Sequence, residues 1–408
     1  MAKTKKAPEL RFNGFMDDWE EKKLGDLALE TYGGGTPKTS IDEYWNGDIA
    51  WIQSSDVAEE QLFNIIPRKF ITKKGITASA TKLIPENSIA IVTRVGVGKV
   101  AFMSYCYATS QDFLSLSKLN IDNWYGVYSI HKKIQSELHA VQGTSIKGIT
   151  KEELLSKTIN IPLKKEEQTK IGNLFQNLDA LIALHQRKYN KLSIVKKAML
   201  EKMFPKEGTD VPEIRFKGFI GKWERRKLGE TVELYSGLTY SPHDVVKDGE
   251  TLVLRSSNVK NSEIINADNV YVRSEVVNSI NVHIGDIIVV VRNGSRSLIG
   301  KHAQIKKSMP NTVIGAFMTG IHYKHPDFIN TLLNTSQFNR EIEKNMGATI
   351  NQITNGVFNE MSLPFPEDEE QKKIGEYFSE LDDLISLHQR ELDKLKNIKK
   401  ACLEKMFV

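Results

Sequence analysis

Two short stretches hold residue types that could bind a phosphate or a metal. Gly96-Val97-Gly98-Lys99-Val100 has the glycines and lysine of a phosphate-binding loop. Thr93 stands where the first glycine of that motif belongs, and Val100 replaces the hydroxyl that would hold Mg²⁺, so a strand-ending loop is expected instead. His322-Tyr323-Lys324-His325 offers two imidazoles without a further ligand cluster nearby, and predicts an exposed turn before Pro326. His185 and His388 occupy matching places in two helical segments, where buried polar residues that fix register are expected. The Asn-Pro-Pro-aromatic motif of amino-methyltransferases is missing, as is a glycine fingerprint for a dinucleotide or adenosylmethionine. No catalytic residue, metal site or cofactor is expected in this chain.

The remaining polar clusters suit contact with bases and phosphates, for which Arg, Lys, Ser, Thr, Asn and Gln supply the hydrogen bonds. In the first half they are Thr36 and Lys38, then Gln53-Ser54-Ser55, Arg94 and Lys99, and Thr144, Ser145 and Lys147. In the second half they are Arg255-Ser256-Ser257-Asn258, Arg292-Asn293, Ser295-Arg296, and Thr349, Asn351 and Gln352. The halves share a frame and differ in these residues, as two readers of different sequences would.

The frame comes from an internal duplication. Pro8-Glu9-Leu10-Arg11-Phe12-Asn13-Gly14-Phe15 returns as Pro212-Glu213-Ile214-Arg215-Phe216-Lys217-Gly218-Phe219, and Trp19-Glu20 as Trp223-Glu224. Glu166–Phe204 and Glu369–Phe407 share 25 identities in 39 positions. Between these anchors only landmarks persist, such as Trp51–Val57 opposite Val253–Val259, and Ile91–Gly96 opposite Val289–Gly294. In each 39-residue segment apolar residues alternate at three and four, which predicts a long helix with a coiled-coil seam. The seam reads Leu174, Phe175, Leu178, Leu181, Ile182, His185, Tyr189, Leu192, Val195, Met199 and Met203. In the second copy it reads Ile374, Phe378, Leu381, Leu384, Ile385, His388, Leu392, Leu395, Ile398, Cys402 and Met406. One apolar stripe does not stabilise such a helix alone, and the other copy is its expected partner. The domains before the helices read as mixed α/β, with strand-like runs at Ser88–Thr93 and Asp286–Arg292.

Composition sets the class. The chain has 408 residues, 40% hydrophobic and 26% charged, which is ordinary globular usage. No apolar run reaches the length of a membrane span, and the basic start Met1-Ala2-Lys3-Thr4-Lys5-Lys6 has no apolar segment behind it. Cys106 and Cys402 form no disulfide framework, in keeping with a reducing cytoplasm. The net charge of +5 tolerates a nucleic-acid partner without demanding one.

Taken together, the duplicated wording resembles the specificity subunit of type I restriction-modification systems. The resemblance spans the chain and rests on the order of variable domain and long helix, written twice. It rests also on Pro-Glu-Leu/Ile-Arg-Phe-x-Gly-Phe before Trp-Glu, and on Glu-Glu-Gln-x-Lys-Ile-Gly leading into Leu-Ile-x-Leu-His-Gln-Arg. It implies two α/β (mixed α+β) target recognition domains and two long antiparallel coiled-coil helices as a spacer, related by pseudo-twofold repetition. The boundaries would be a flexible basic tail at 1–8, recognition domains at 9–163 and 214–366, spacer helices at 164–205 and 367–408, and a linker at 206–213.

Each domain would read one half of a bipartite, asymmetric double-stranded DNA target. Two modification subunits would dock on the helices, and two restriction subunits could join. S-adenosylmethionine, ATP and Mg²⁺ would belong to those partners, in a bacterial or archaeal cytoplasm at the nucleoid. Residues kept in both copies are the docking candidates: Lys170, Asp179, Gln186 and Arg187, repeated as Lys373, Asp382, Gln389 and Arg390. The competing classes are a self-contained DNA-modifying enzyme and a structural coiled-coil adaptor. Activity of the isolated chain would mark the first, and lack of specific DNA binding the second.

Overall fold

The structure is a computed structural model that describes residues 7–140, 148–346 and 351–408. Thr144, Ser145, Lys147, Thr349 and most of the basic tail lie outside the described residues. The chain divides into two compact units, residues 1–185 with 391–408, and residues 186–390. Each long helix therefore gives its first half to one unit and its second half to the other.

In the first unit, Glu20–Lys23 pairs antiparallel with Thr158–Ile161 and closes the start of the domain onto its end. Between them lies a four-stranded antiparallel sheet in the order Ala28–Gly33, Phe113–Leu119, Ser88–Val92, Val100–Met103. A second sheet sets Trp45–Ile52 between Lys69–Ile71 and Tyr107–Thr109, the latter pairing parallel. The run read as Ser88–Thr93 becomes a strand buried on both faces, as its unbroken apolar wording requires.

The second unit repeats this plan. Glu224–Lys227 pairs with Ser362–Phe365. The main sheet runs Glu233–Ser236, Met318–His322, Ile287–Val290, His302–Gln304. In the other sheet Thr251–Leu254 lies between Val270–Val272 and a parallel Thr312–Ile314. Gly96-Val97-Gly98-Lys99 is a hairpin connection: Val92 N–H donates to Lys99 O at 2.9 Å and Gly98 N–H to Val92 O at 3.1 Å. Gly98 holds a left-handed φ of +96° there, as Gly300 does at +83° in the equivalent turn.

The helices span Lys165–Lys202 and Asp368–Lys405, 38 residues each and roughly 57 Å long at 1.5 Å per residue. Acids fill both first turns and a lysine ends both helices, matching the helix dipole. The ion pair at the joint between domain and helix is the same in both units. Arg11 grips the buried Glu167 with two hydrogen bonds of 2.6 and 2.8 Å. Arg215 grips Glu370 at 2.6 and 2.7 Å. The next residue, Gln168, donates to Pro162 O at 2.8 Å, and Gln371 donates to Pro366 O at 2.9 Å. The repeated wording around Arg-Phe and Glu-Glu-Gln thus encodes a buried ion pair and a buried amide, each of which needs its partner present.

Within the first unit the helix segments run antiparallel: Phe175 meets Phe407 at 5.5 Å, and further along Asp179 pairs with Lys399 at 2.6 Å. Within the second, Phe378 meets Phe204 at 6.3 Å and Asp382 pairs with Lys196 at 2.5 Å. The apolar stripe runs through Ile171, Phe175, Leu178, Ile182 and Leu192, the first three fully buried. Leu181 and Leu384, placed in the seam by their spacing, are 43% and 44% exposed, and Ile398 is 40% exposed. One residue of helix is about 100° of rotation, so Leu181 falls outside a stripe that follows Leu178 to Ile182.

Candidate nucleic-acid interface

In each unit the same set of loops meets at the carboxyl end of the parallel strand pair. After Trp45–Ile52 the chain turns through a short 3₁₀ helix, Ser54–Asp56, locked by Asp56 Oδ2 accepting from Gln53 N at 2.9 Å. Arg255 N donates to Asn258 Oδ1 at 2.9 Å in the matching turn. Ser110 N–H donates to Ile52 O at 3.0 Å and Gly35 N–H to Thr109 O at 2.9 Å, so the loop holding Thr36 lies beside Gln53. In the second unit Gly315 N–H donates to Leu254 O at 2.9 Å and Leu238 N–H to Ile314 O at 2.7 Å. Gly34 and Gly237 make this approach possible: a Cβ would come within 1.9 Å of Ser110 O and 2.1 Å of Gly315 O respectively.

The hairpin loop joins from the other side. Lys99 Nζ donates to Ser54 O at 3.0 Å, and Lys301 Nζ to Ser256 O at 3.4 Å. A third landmark, Ile149-Thr150 opposite Ile353-Thr354, arrives through Ile149 N–H to Thr93 O and Ile353 N–H to Val291 O, both 2.8 Å. Candidates far apart in sequence therefore share one surface per unit, and they divide by role.

Thr36, Lys38, Ser55 and Arg94 are exposed, with Gln53 and Ser54 half-buried. Thr36 Oγ1 donates to Gln111 Oε1 at 2.6 Å. Arg292, Ser295 and Arg296 are exposed, and Asn293, Asn351 and Gln352 are half-buried. Asn293 Nδ2 donates to Ser256 Oγ at 3.0 Å, and Asn351 Nδ2 to Gly294 O at 3.0 Å. Asn258 is fully buried and donates to Ala267 O and Asn269 Oδ1, so it fastens its loop. Lys99 does the same through Ser54. Among the described residues the buried atoms Arg255 Nε and Ser257 Oγ have no hydrogen-bond partner.

Open hollows lie beside these loops. That of the first unit has about 580 Å³ and is lined by Thr93, Arg94, Gln111, Thr150 and Lys151. That of the second has about 680 Å³ and is lined by Tyr240, Arg255, Ser257, Phe317 and Met318. Gln111, Tyr240 and Phe317 were not singled out in the sequence, although Phe317 follows the strand paired with the Val253–Leu254 landmark. Trp45 and Trp51, at 5.0 Å and both under 6 Å from Lys69 Nζ, form a further aromatic and cationic cluster in the first unit.

The helix candidates divide as well. Lys170 lies over the Phe15 ring at 5.1 Å and Lys373 over Phe219 at 4.9 Å, so both brace the segment entering the joint. Asp179 and Asp382 face the other helix, in the ion pairs given above. Gln186 bonds Asn190 at 3.0 Å, Arg390 Nε donates to Ser386 O at 3.3 Å, Gln389 is half-buried and Arg187 is exposed. His322 is exposed, as expected of the segment before Pro326, and ends the strand Met318–His322; its Nδ1 lies 2.8 Å from Oδ1 of the buried Asp286, which also accepts from Tyr235 at 2.8 Å. Among the described residues no group of three or more His, Cys, Asp or Glu is placed to hold a metal, and no helix is long and apolar enough to cross a membrane.

Two domains of one plan, each followed by a long helix, define an architecture already seen. The fold is similar to the crystal structure of a type I restriction-modification system S subunit from M. genitalium, with a TM-score of 0.68 over 98% of this chain and 99% of that one at 15% identity. The model of the type I restriction modification DNA specificity domain matches residues 16–193 and again 220–397, and the chain belongs to this family of specificity subunits. It is 31% identical over 238 residues to the MjaIX specificity subunit of Methanocaldococcus jannaschii, covering 54% of this chain. That match spans about half of the relative, 53%. With the MjaVIII specificity subunit of the same organism it shares 25% identity over 95% of this chain and 91% of that protein.

Proposed function

We propose that this chain is the sequence reader of a type I restriction-modification complex and carries no catalytic step itself. Each recognition domain (9–163 and 214–366) reads one half of a bipartite, asymmetric double-stranded DNA site through the loops converging at its surface. The paired helices (164–205 and 367–408) set the gap between half-sites and dock two modification subunits, with two restriction subunits able to join. Adenosylmethionine, ATP and Mg²⁺ belong to those partners. The observation that carries this reading is the repeated convergence of three polar landmarks in both units, on equivalent backbone contacts but with side chains that differ at positions such as Gln53 and Arg255, Asp56 and Asn258, and Val95 and Asn293. Phosphate contacts would come from Lys38, Arg94 and Arg296, and base-edge contacts from the hydroxyl and amide residues between them. Lys170, Arg187, Lys373 and Arg390 are the exposed residues among the docking candidates.

The test is to map methylated adenines in cells expressing the modification subunit with the wild-type chain, and with a four-residue helical insertion after Arg187. The expected result is one bipartite motif whose half-sites persist while the gap changes. Altered half-sites with an unchanged gap would refute the spacer role. Methylation by the purified chain alone would refute the non-catalytic reading.

A further inference from the structure

We propose that Arg292 reads a guanine in the half-site of the second unit, held in reading position by Phe317; this rests on the DNA-reading function proposed above. Arg292 follows the buried strand Ile287–Val290, and its backbone is fixed from two sides. Its N–H donates to Phe317 O at 3.2 Å, and the residue forms a β-bridge with Gln352. The guanidinium carbon sits 4.9 Å over the Phe317 ring. That ring is 53% exposed and lines the 680 Å³ hollow together with Arg255 and Ser257. Among the described residues Arg292 makes no ion pair with a carboxylate.

A guanidinium stacked on an aromatic face loses little rotamer freedom on binding and keeps its edge N–H groups free. Those groups match the O6 and N7 acceptors that only guanine presents side by side in the major groove. Among the described residues the first unit lacks this device. There Thr93 N–H donates to Asp112 O at 2.7 Å, where Val291 N–H donates to Phe317 O at 3.0 Å, so Asp112 stands in the place of the ring. Its carboxylate accepts from Ser110 at 3.0 Å, and among the described residues no aromatic ring lies beneath Arg94. The stacked arginine therefore belongs to one half-site alone.

The experiment maps adenine methylation in cells carrying the modification subunit with the wild-type chain, Arg292→Lys, Phe317→Leu, or Arg94→Ala. Arg292→Lys keeps the charge and loses the planar fork. It is expected to relax one G·C position of one half-site, cutting the preference for guanine there by roughly 5- to 150-fold. The other half-site and the gap stay intact. Phe317→Leu should relax the same position less, and Arg94→Ala, which removes a phosphate contact of the other domain, should lower methylation overall without changing the preference for guanine at this position. Retention of every position by Arg292→Lys, or relaxation at an A·T position, overturns the assignment. A wild-type chain that directs no sequence-specific methylation overturns instead the reading on which the assignment rests.

Discussion

The central strand of the first unit begins at Ser88, and the same strand position in the second is prepared by Asp286. Ser88 donates to Tyr107 at 3.0 Å, and Tyr107 donates to Ser115 at 3.0 Å, a neutral chain of buried hydroxyls. Burial pushes the Tyr107 hydroxyl up to about 12. Asp286 instead gathers Tyr235, the backbone N–H of His283 at 2.9 Å, and His322 around a buried carboxylate. Two interiors of one topology have thus settled their polar groups differently, one without charge and one with it. What does not differ is the joint to the helix, where Arg11 with Glu167 and Arg215 with Glu370 coincide to within 0.1 Å. The duplication preserved the joints and released the sheets and loops. On the function proposed above, holding two readers in one frame while changing what they read calls for that division.

The equivalence of the joints is open to direct attack. Arg11→Ala and Arg215→Ala each strand a buried carboxylate, and each is expected to cost about 3–5 kcal/mol in urea denaturation. A large loss in one unit and a small one in the other would break the comparison. Next come the aromatic plugs that end the helices. Phe407 packs against Tyr125 and Phe175, and Phe204 against Trp223 and Phe328. Phe407→Ala and Phe204→Ala should each cost about 3 kcal/mol. Hydrogen exchange should place the Phe407→Ala loss in the first recognition domain, despite its distance in sequence.

A smaller effect separates the units. Tyr128 donates to Asp179 at 2.5 Å, tying the first domain to the helix ion pair. At the corresponding place Thr331 spends its hydroxyl on Asp327 O. Tyr128→Phe should cost about 1.5 kcal/mol, and Thr331→Val less, in the same denaturation assay.

The mildest is a pH effect. His302 is fully buried, with Gly300 O at 2.9 Å and Asn334 Nδ2 at 3.0 Å from its two ring nitrogens, an arrangement suited to the neutral ring. Burial holds its pKa below the ordinary 6.5. The unfolded chain takes up a proton first as pH falls, so this stability is present above pH 6.5 and is lost as pH drops through the folded-state value. His302→Gln should flatten the change in urea midpoint between pH 7.5 and 5.5.

Much of the scaffold was legible in the sequence because repetition at fixed offset and apolar periodicity are local signals. The duplicated words, the two helices and the central strands all fall where those signals put them. Leu181 was misplaced because a run of adjacent apolar residues leaves helix phase undetermined until a partner packs on one side. The candidate loops were legible as landmarks, but Asn258 and Lys99 look like any other polar loop residues until the loop closes around them. Phe317 carried no signal, since its importance comes from Arg292, 25 positions earlier in the chain.

By itself, then, the sequence determined that the protein is a repeat, how long its helices are, and which segments vary between copies, since these follow from backbone periodicity and identity. Only the tertiary structure decided which polar groups face outward and which are consumed inside. That choice depends on desolvation, because a buried amide or ammonium must find its partner across the fold, wherever in the chain the partner lies.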